Sequence, residues 1–415
     1  MTERPRVVII GGGFGGTYTA RFLKRAVRRR EISVTLINRT NYFLFTPLLH
    51  EVATGGISPI LIAEPLREIF RQSGLNILET NVIGVDPTRR VVTTTSGEVS
   101  YDYLVVSAGA ETNFYNIPGA REHSLVLKNL FDAVMIRDRV IESFERARSA
   151  SAKDEAKLLS FVVVGGGATG VELAAELAEL VYDTLCSYYG RLSRICHSAQ
   201  VTLVSSDQEV LKQFPLSLRR AAVLVLARKR VNLRLGAVVT AVTDNQIEFK
   251  NSAPLSTTNV FWAAGVKSTA IDLPGVERCS DGRIMIDSFL QATKLKRIFV
   301  VGDMAAFIEK KDGQPLPMLA QVAVEQARVL AKNIMASING TTFQPFRYHS
   351  RGSLVSLGQW YAVGEIFGFP IHGRIAWWIW RTVYLFKFHS WRKRFKIALD
   401  WTIGLFSSRD ITKVR

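Results

Sequence analysis

The chain has 415 residues, more than one ordinary hydrophobic core serves and enough for two or three domains. Hydrophobic residues make up 47% and charged residues 21%, which excludes a disordered chain. The 53 basic against 36 acidic residues give a net charge of +17, so the chain is drawn to anionic surfaces: nucleic acid, acidic lipid or an acidic partner.

Residues 1–6 are polar, and the apolar run that follows covers only residues 7–10, so no signal peptide is expected. No apolar run approaches the ~18 residues that a membrane span needs. The expectation is a chain kept in the cytosol, peripheral on the cytoplasmic face if it meets a membrane. Cys186, Cys196 and Cys279 form no CxxC pair. Neither a disulfide framework nor a metal site is expected, and the thiols are read as isolated and reduced.

In chain order, residues 7–10 form a β-branched strand, residues 11–16 a glycine turn and residues 17–29 a helix with a basic end. Strands follow at 33–37 and 103–107, the latter leading into Ala108-Gly109. The same grammar returns about 154 residues later: strand 161–164, glycine turn 165–170, helix 171–189, strand 201–204, and strand 260–264 before Gly265. This is an internal duplication with the second unit inserted in the first, which resumes near Ile298 and runs into Gly302-Asp303. Residues 354–357 and 361–363 read as short antiparallel strands. Residues 374–415 hold five of the seven tryptophans and ten Lys/Arg against two Asp, a local charge of +8.

A GxGxxG turn lets backbone approach a pyrophosphate at a helix N-terminus, where any side chain would collide. Gly11, Gly13 and Gly16 fill it first, and Gly165, Gly167 and Gly170 second. The first unit, closed from afar by Asp303, suits a permanently held FAD; the second suits a nicotinamide cofactor that exchanges. The residue ending the second strand reads the adenosine ribose, and an acid there favours NADH over NADPH. Here the first unit has Asn38-Arg39 and the second Ser205-Ser206-Asp207, so NADH and NADPH both stay open.

These residues resemble the two-dinucleotide flavoproteins. Within them the chain is similar to the type II NADH dehydrogenase family, the single-chain NAD(P)H:quinone oxidoreductases. The resemblance rests on residues 41–55 (NYFLFTPLLHEVATG), 168–174 (ATGVELA), 262–266 (WAAGV), 301–303 (VGD) and 320–323 (AQVA). It implies an α/β fold of two Rossmann-like domains, the second inserted in the first. FAD binding falls to 1–115 and 295–345, NAD(P)H binding to 116–294, and membrane anchoring to 346–415 by antiparallel strands and amphipathic helices.

The resemblance also implies that Gly11, Gly13, Phe14, Gly15, Gly16, Asn38, Arg39, Thr46, Pro47, Val82, Ala108, Gly109, Gly302, Asp303, Ala320, Gln321 and Val322 hold FAD. Gly165, Gly167, Ala168, Thr169, Gly170, Glu172, Ser205, Ser206, Ala264 and Gly265 then hold NAD(P)H. Glu172 matches the family's glutamate near nicotinamide and flavin. Gln321 matches the first glutamine of the AQxAxQ quinone motif, whose second position here is Glu325, followed by Gln326. The implied activity is hydride transfer from NAD(P)H to FAD, then two electrons to a membrane quinone, without proton pumping.

His50 and His349 are candidate proton shuttles whose commoner use is structural. The tail, with Trp391, Phe395, Leu399 and Phe406 at helical spacing among basic residues, has the pattern of an interfacial anchor on anionic lipid. Read otherwise, it packs on the rest of the chain or pairs a homodimer. No nucleic-acid module is present. Two other functions are compatible: an NADPH-dependent reductase of a quinone precursor, and a flavin-binding redox sensor with little turnover.

Overall fold

A computed structural model describes residues 4–309 and 313–413. The chain divides into two compact units: the described residues of 1–44, 63–111 and 266–349, and those of 45–62, 112–265 and 350–413.

The β-branched runs of the first unit form a five-stranded parallel sheet in the order Ile298–Val300, Tyr103–Val106, Arg6–Ile10, Ser33–Asn38, Asn76–Glu79. Val8, Ile9, Leu36, Leu104 and Val105 are buried, as expected for a parallel sheet covered on both faces. The helix Phe14–Arg28 buries Ala20, Leu23 and Val27 along one stripe and ends with Arg25 and Arg28, which suit its negative dipole end. It packs on Ala320–Asn339, which stops at Gly340 in the left-handed region.

The second unit repeats the plan, with strand order Ser124–Val126, Asn259–Trp262, Ser160–Val164, Gln200–Val204, Val231–Arg234, all parallel. Each unit adds a three-stranded antiparallel sheet, at Val82–Ser100 in the first and Val239–Ser256 in the second. The helix expected over 171–189 is not uniform. It is α-helical over Ala168–Ala178, π-helical over Glu179–Leu185 and α-helical again over Cys186–Tyr189.

The expectation of isolated thiols is overturned: Cys186 and Cys196 form a disulfide with Cα atoms 5.6 Å apart. Gly190, at φ +87°, reverses the chain after the π-helical stretch, and the short helix Arg194–Ser198 returns beside it. Tertiary proximity, which spacing in the sequence does not encode, makes the pair.

Residues 352–373 form an antiparallel sheet of Gly352–Ser356, Ala362–Ile366 and Phe369–Gly373. Two helices follow, Arg374–Lys387 and Trp391–Ile403. Their inner faces bury Ala376, Trp377, Trp380, Ile397 and Trp401. Their outer faces expose Ile375, Trp378, Val383 and Phe386 on one helix, and Trp391, Phe395, Leu399 and Ile403 at four-residue spacing on the other. Among the described residues no helix is long and apolar enough to cross a membrane.

Candidate functional site: two glycine turns and a buried acid cluster

The first glycine turn leaves its strand at Gly11, whose φ of +99° is a left-handed conformation that side chains avoid. A Cβ on Gly16 would lie 1.8 Å from the Gly11 carbonyl oxygen, so the helix can start this close to the strand only with glycine. A Cβ on Gly13 would meet nothing within 4 Å. Gly13 caps the helix with no side-chain hydrogen bond, leaving helix N–H groups and the positive dipole end for an anion on that side. The turn is braced by Asn38: its Oδ1 accepts from Gly12 N–H at 2.8 Å, and its Nδ2 donates to Thr40 O at 2.9 Å and Thr40 Oγ1 at 3.0 Å.

The far end of the same sheet supplies Gly302-Asp303 as a single helical turn after the strand Ile298–Val300. Gly302 N–H donates to the Oε1 of Gln326 at 2.7 Å, and Gln326 is buried. Gln321 and Glu325 share a helix with it but are only half-buried. Gln326 is therefore the residue that sequence reasoning passed over. The helical rhythm of Val322, Ala323, Gln326, Ala327 and Leu330 was the signal, because it places position 326 on the inward face.

The other predicted FAD contacts are dispersed. Ala320, Gln321 and Val322 open the helix Ala320–Asn339. Ala108 N–H points at Met304 Sδ, 3.2 Å away, and Gly109, at φ +78°, leaves open space where its Cβ would be. Val82 begins an antiparallel strand, Arg39 is exposed, and Thr46 and Pro47 lie in a short helical turn of the second unit. The bare glycine backbone around Gly13 and Gly109 fits a dinucleotide cofactor.

The second turn matches the first. Gly165 has φ +130°, a Cβ on Gly170 would lie 1.9 Å from Gly165 O, and one on Gly167 would meet nothing within 4 Å. Ala168 and Thr169 begin the helix, Ser205 sits against Gly166, and Ala264-Gly265 closes the neighbouring strand with Gly265 against the Tyr115 hydroxyl.

From this second turn the helix carries three buried glutamates on one face, Glu172, Glu176 and Glu179, at four- and three-residue spacing. His50 and Glu51, on the short helix Leu49–Val52, and Arg409, in the C-terminal strap of residues 404–413, complete the cluster. Arg409 donates to Glu176 at 2.5 Å, to Glu179, and to Thr54 Oγ1 at 2.6 Å. Glu179 also pairs with Lys229 and accepts from Gln359 N–H at 2.6 Å. Glu51 accepts from the Trp401 indole N–H at 2.7 Å, and Glu172 from Ser356 N–H at 3.2 Å.

Burial pushes the Glu172 carboxyl well above the carboxylate range. The Ser356 hydrogen bond opposes this, while Glu176 and Glu51 add to it. Glu51 is raised to about 7, first by burial and then, against the pull of Arg381 and Arg409, by Glu176. Burial and Arg409 lower His50 to about 3, so it is neutral at physiological pH. Its Nδ1 lies 3.6 Å from Glu172 Oε2, and with the imidazole neutral this contact is not an ion pair. Burial opposes the Arg409 charge, but Glu176 and Glu179 overcome it and raise its proton affinity. His50, Glu51 and Glu176 offer atoms within 4.8 Å of one another, yet Trp401 and Arg409 already occupy the carboxylates. The arrangement sets two buried acids whose protonated forms are favoured beside an ion-paired frame of Glu176, Glu179, Arg409 and Lys229.

Residues 5–327 match the pyridine nucleotide-disulphide oxidoreductase family, and residues 350–410 match the NDH2 C-terminal domain. The chain is 34% identical to the type II NADH:quinone oxidoreductase Ndh of Mycobacterium tuberculosis, over 98% of this chain and 89% of that one. The chain belongs to the type II NADH:quinone oxidoreductase family. It is 30% identical to the Staphylococcus aureus member, over 90% of this chain and 92% of the relative. The Plasmodium falciparum NDH2 structure in complex with NADH shares the fold at TM-score 0.91 and 21% identity, covering 99% of this chain and all of that one. The sulfide:quinone oxidoreductase of Aquifex aeolicus shares it at TM-score 0.73 and 20% identity, over 99% of this chain and 93% of that one.

Proposed function

We propose that this protein is an FAD-dependent oxidoreductase that oxidises NADH and reduces a quinone to quinol. The observation that carries this reading is the pair of glycine turns, each at the carboxyl end of its own parallel sheet, in a member of this family. FAD, when bound, accepts a hydride and gives up two electrons. The residues Gly11, Gly13, Phe14, Gly15 and Gly16 hold its pyrophosphate, and Gly302-Asp303, pinned by Gln326, holds the flavin end. Gly165, Gly167, Ala168, Thr169 and Gly170 hold the pyrophosphate of the nucleotide.

Quinol formation needs one proton beyond the hydride. Burial and the neighbouring acids favour the protonated form of Glu172 beside neutral His50, and Glu51 exchanges a proton near pH 7; this cluster is the proposed source of that proton. Gln321 and Glu325 are the proposed quinone head-group contacts.

The protein docks on an anionic membrane surface through residues 374–406. Two apolar stripes there stand in water, flanked by exposed Arg374, Arg392 and Lys396. Anionic lipid is typical of the cytoplasmic leaflet, which is the side proposed.

Anaerobic flavin bleaching by NADH, followed by reoxidation with a short-chain quinone, tests the activity. Absence of bleaching overturns the whole reading; bleaching without reoxidation overturns the acceptor. Glu172→Gln slows the quinone step by about 10²-fold if the carboxyl donates the proton. Deleting the tail would remove Trp377, Trp380, Trp401 and Arg409 from the interior, so docking is tested instead with Trp391, Phe395 and Leu399 all changed to Gln. This variant stays folded and releases anionic vesicles.

A further inference from the structure

We propose that the second glycine turn accepts NADPH as well as NADH, with Lys212 as the partner of the 2′-phosphate. This rests on the reading above that the turn binds a nicotinamide dinucleotide. In the first unit Gly11 N–H bonds Ile37 O at 2.8 Å, and the next residue, Asn38, stands against Gly12. In the second, Gly165 N–H bonds Val204 O at 2.8 Å, and the next residue, Ser205, stands against Gly166. Ser205 therefore occupies the position from which an acid accepts both ribose hydroxyls and repels a 2′-phosphate.

Ser205 is neutral, and its Oγ is turned back to accept from Asp207 N–H at 3.2 Å. The rim beyond it has two acids, and each is matched by a cation: Asp207 with Lys212 at 3.0 Å, and Glu209 with Arg219. The Gln208 amide lies over Gly236. The rim of residues 205–209 thus offers an incoming phosphate no carboxylate that lacks a counter-charge. Lys212 has 69% of its side chain exposed. An exposed pair such as Asp207–Lys212 is weakly held, and the lysine ammonium, with three donors on a flexible stem, takes a phosphate oxygen while staying beside Asp207. The chemistry at the far end of the nucleotide is the same for both: NADPH loses a hydride, two electrons with one proton, to the flavin and leaves as NADP+.

The test is kcat/KM for each nucleotide with FAD-loaded wild-type protein at one pH and ionic strength. The two values are expected within about tenfold; an NADH preference above about 100-fold overturns the inference. Ser205→Glu lowers the NADPH/NADH ratio at least about 30-fold. Should that buried site not tolerate glutamate, Lys212→Gln, on the exposed rim, still lowers the ratio about fivefold; an unmoved ratio overturns the role of Lys212. Bleaching by NADH but not by NADPH defeats this inference alone, whereas bleaching by neither defeats the function on which it rests.

Discussion

The two glycine turns are near copies in backbone and differ in what holds them. In the first unit the brace is neutral: Asn38 ties Gly12 to the Thr40 loop, and Gln326 ties Gly302 to the helix Ala320–Asn339. In the second unit the helix leaving the turn runs into buried charge, with Glu176 and Glu179 against Arg409 and Lys229. Neutral hydrogen bonds fix geometry at any pH. Buried charges couple the fold to protonation and to the C-terminal strap that supplies Arg409. The first turn is thus braced by neutral groups, and the helix leaving the second is braced by buried charge, which fits the proposed division between a held cofactor and an exchanging one.

The sharpest way to break this comparison is to fill each turn. A Cβ at position 16 or 170 would lie within 2 Å of a carbonyl oxygen. Gly16→Ala should give protein without the flavin absorption band. Gly170→Ala should keep the band but resist bleaching by NADH. Equal flavin loss in both would mean that the turns do not have separate ligands.

Next in size is the strap. Arg409→Gln leaves two buried carboxylates short of their partner and should cost about 3–5 kcal/mol in denaturant unfolding. The loss should shrink when Glu176 and Glu179 are also changed to Gln; a loss that stays would point to packing instead.

Glu51 gives a smaller effect of defined sign. Its folded pKa is raised to about 7 from 4.5, so its contribution is full below pH 4.5 and is lost as pH rises through 7. By this linkage wild type should lose up to about 3 kcal/mol across that window. Glu51→Gln should flatten that part of the stability profile, measured by unfolding at pH 5 to 8.

The mildest test is Asn38→Ala, which removes one brace and should cost about 1–2 kcal/mol with little dependence on pH. A strong pH dependence there would erase the contrast between the units.

The sequence by itself determined the doubled strand–turn–helix plan, because β-branched runs, glycine spacing and helical periodicity are local signals with direct steric causes. It also marked Glu172 and the tryptophan-rich tail, since both follow from position along a helix. Tertiary structure alone decided the rest. Arg409 meets Glu176 and Glu179 across more than 200 residues, Gln326 rather than Glu325 turns inward to Gly302, and Cys186 finds Cys196 through a chain reversal. Such contacts depend on where folding carries distant segments. Whether a glutamate keeps its proton depends in turn on how much water and which charges those segments leave around it.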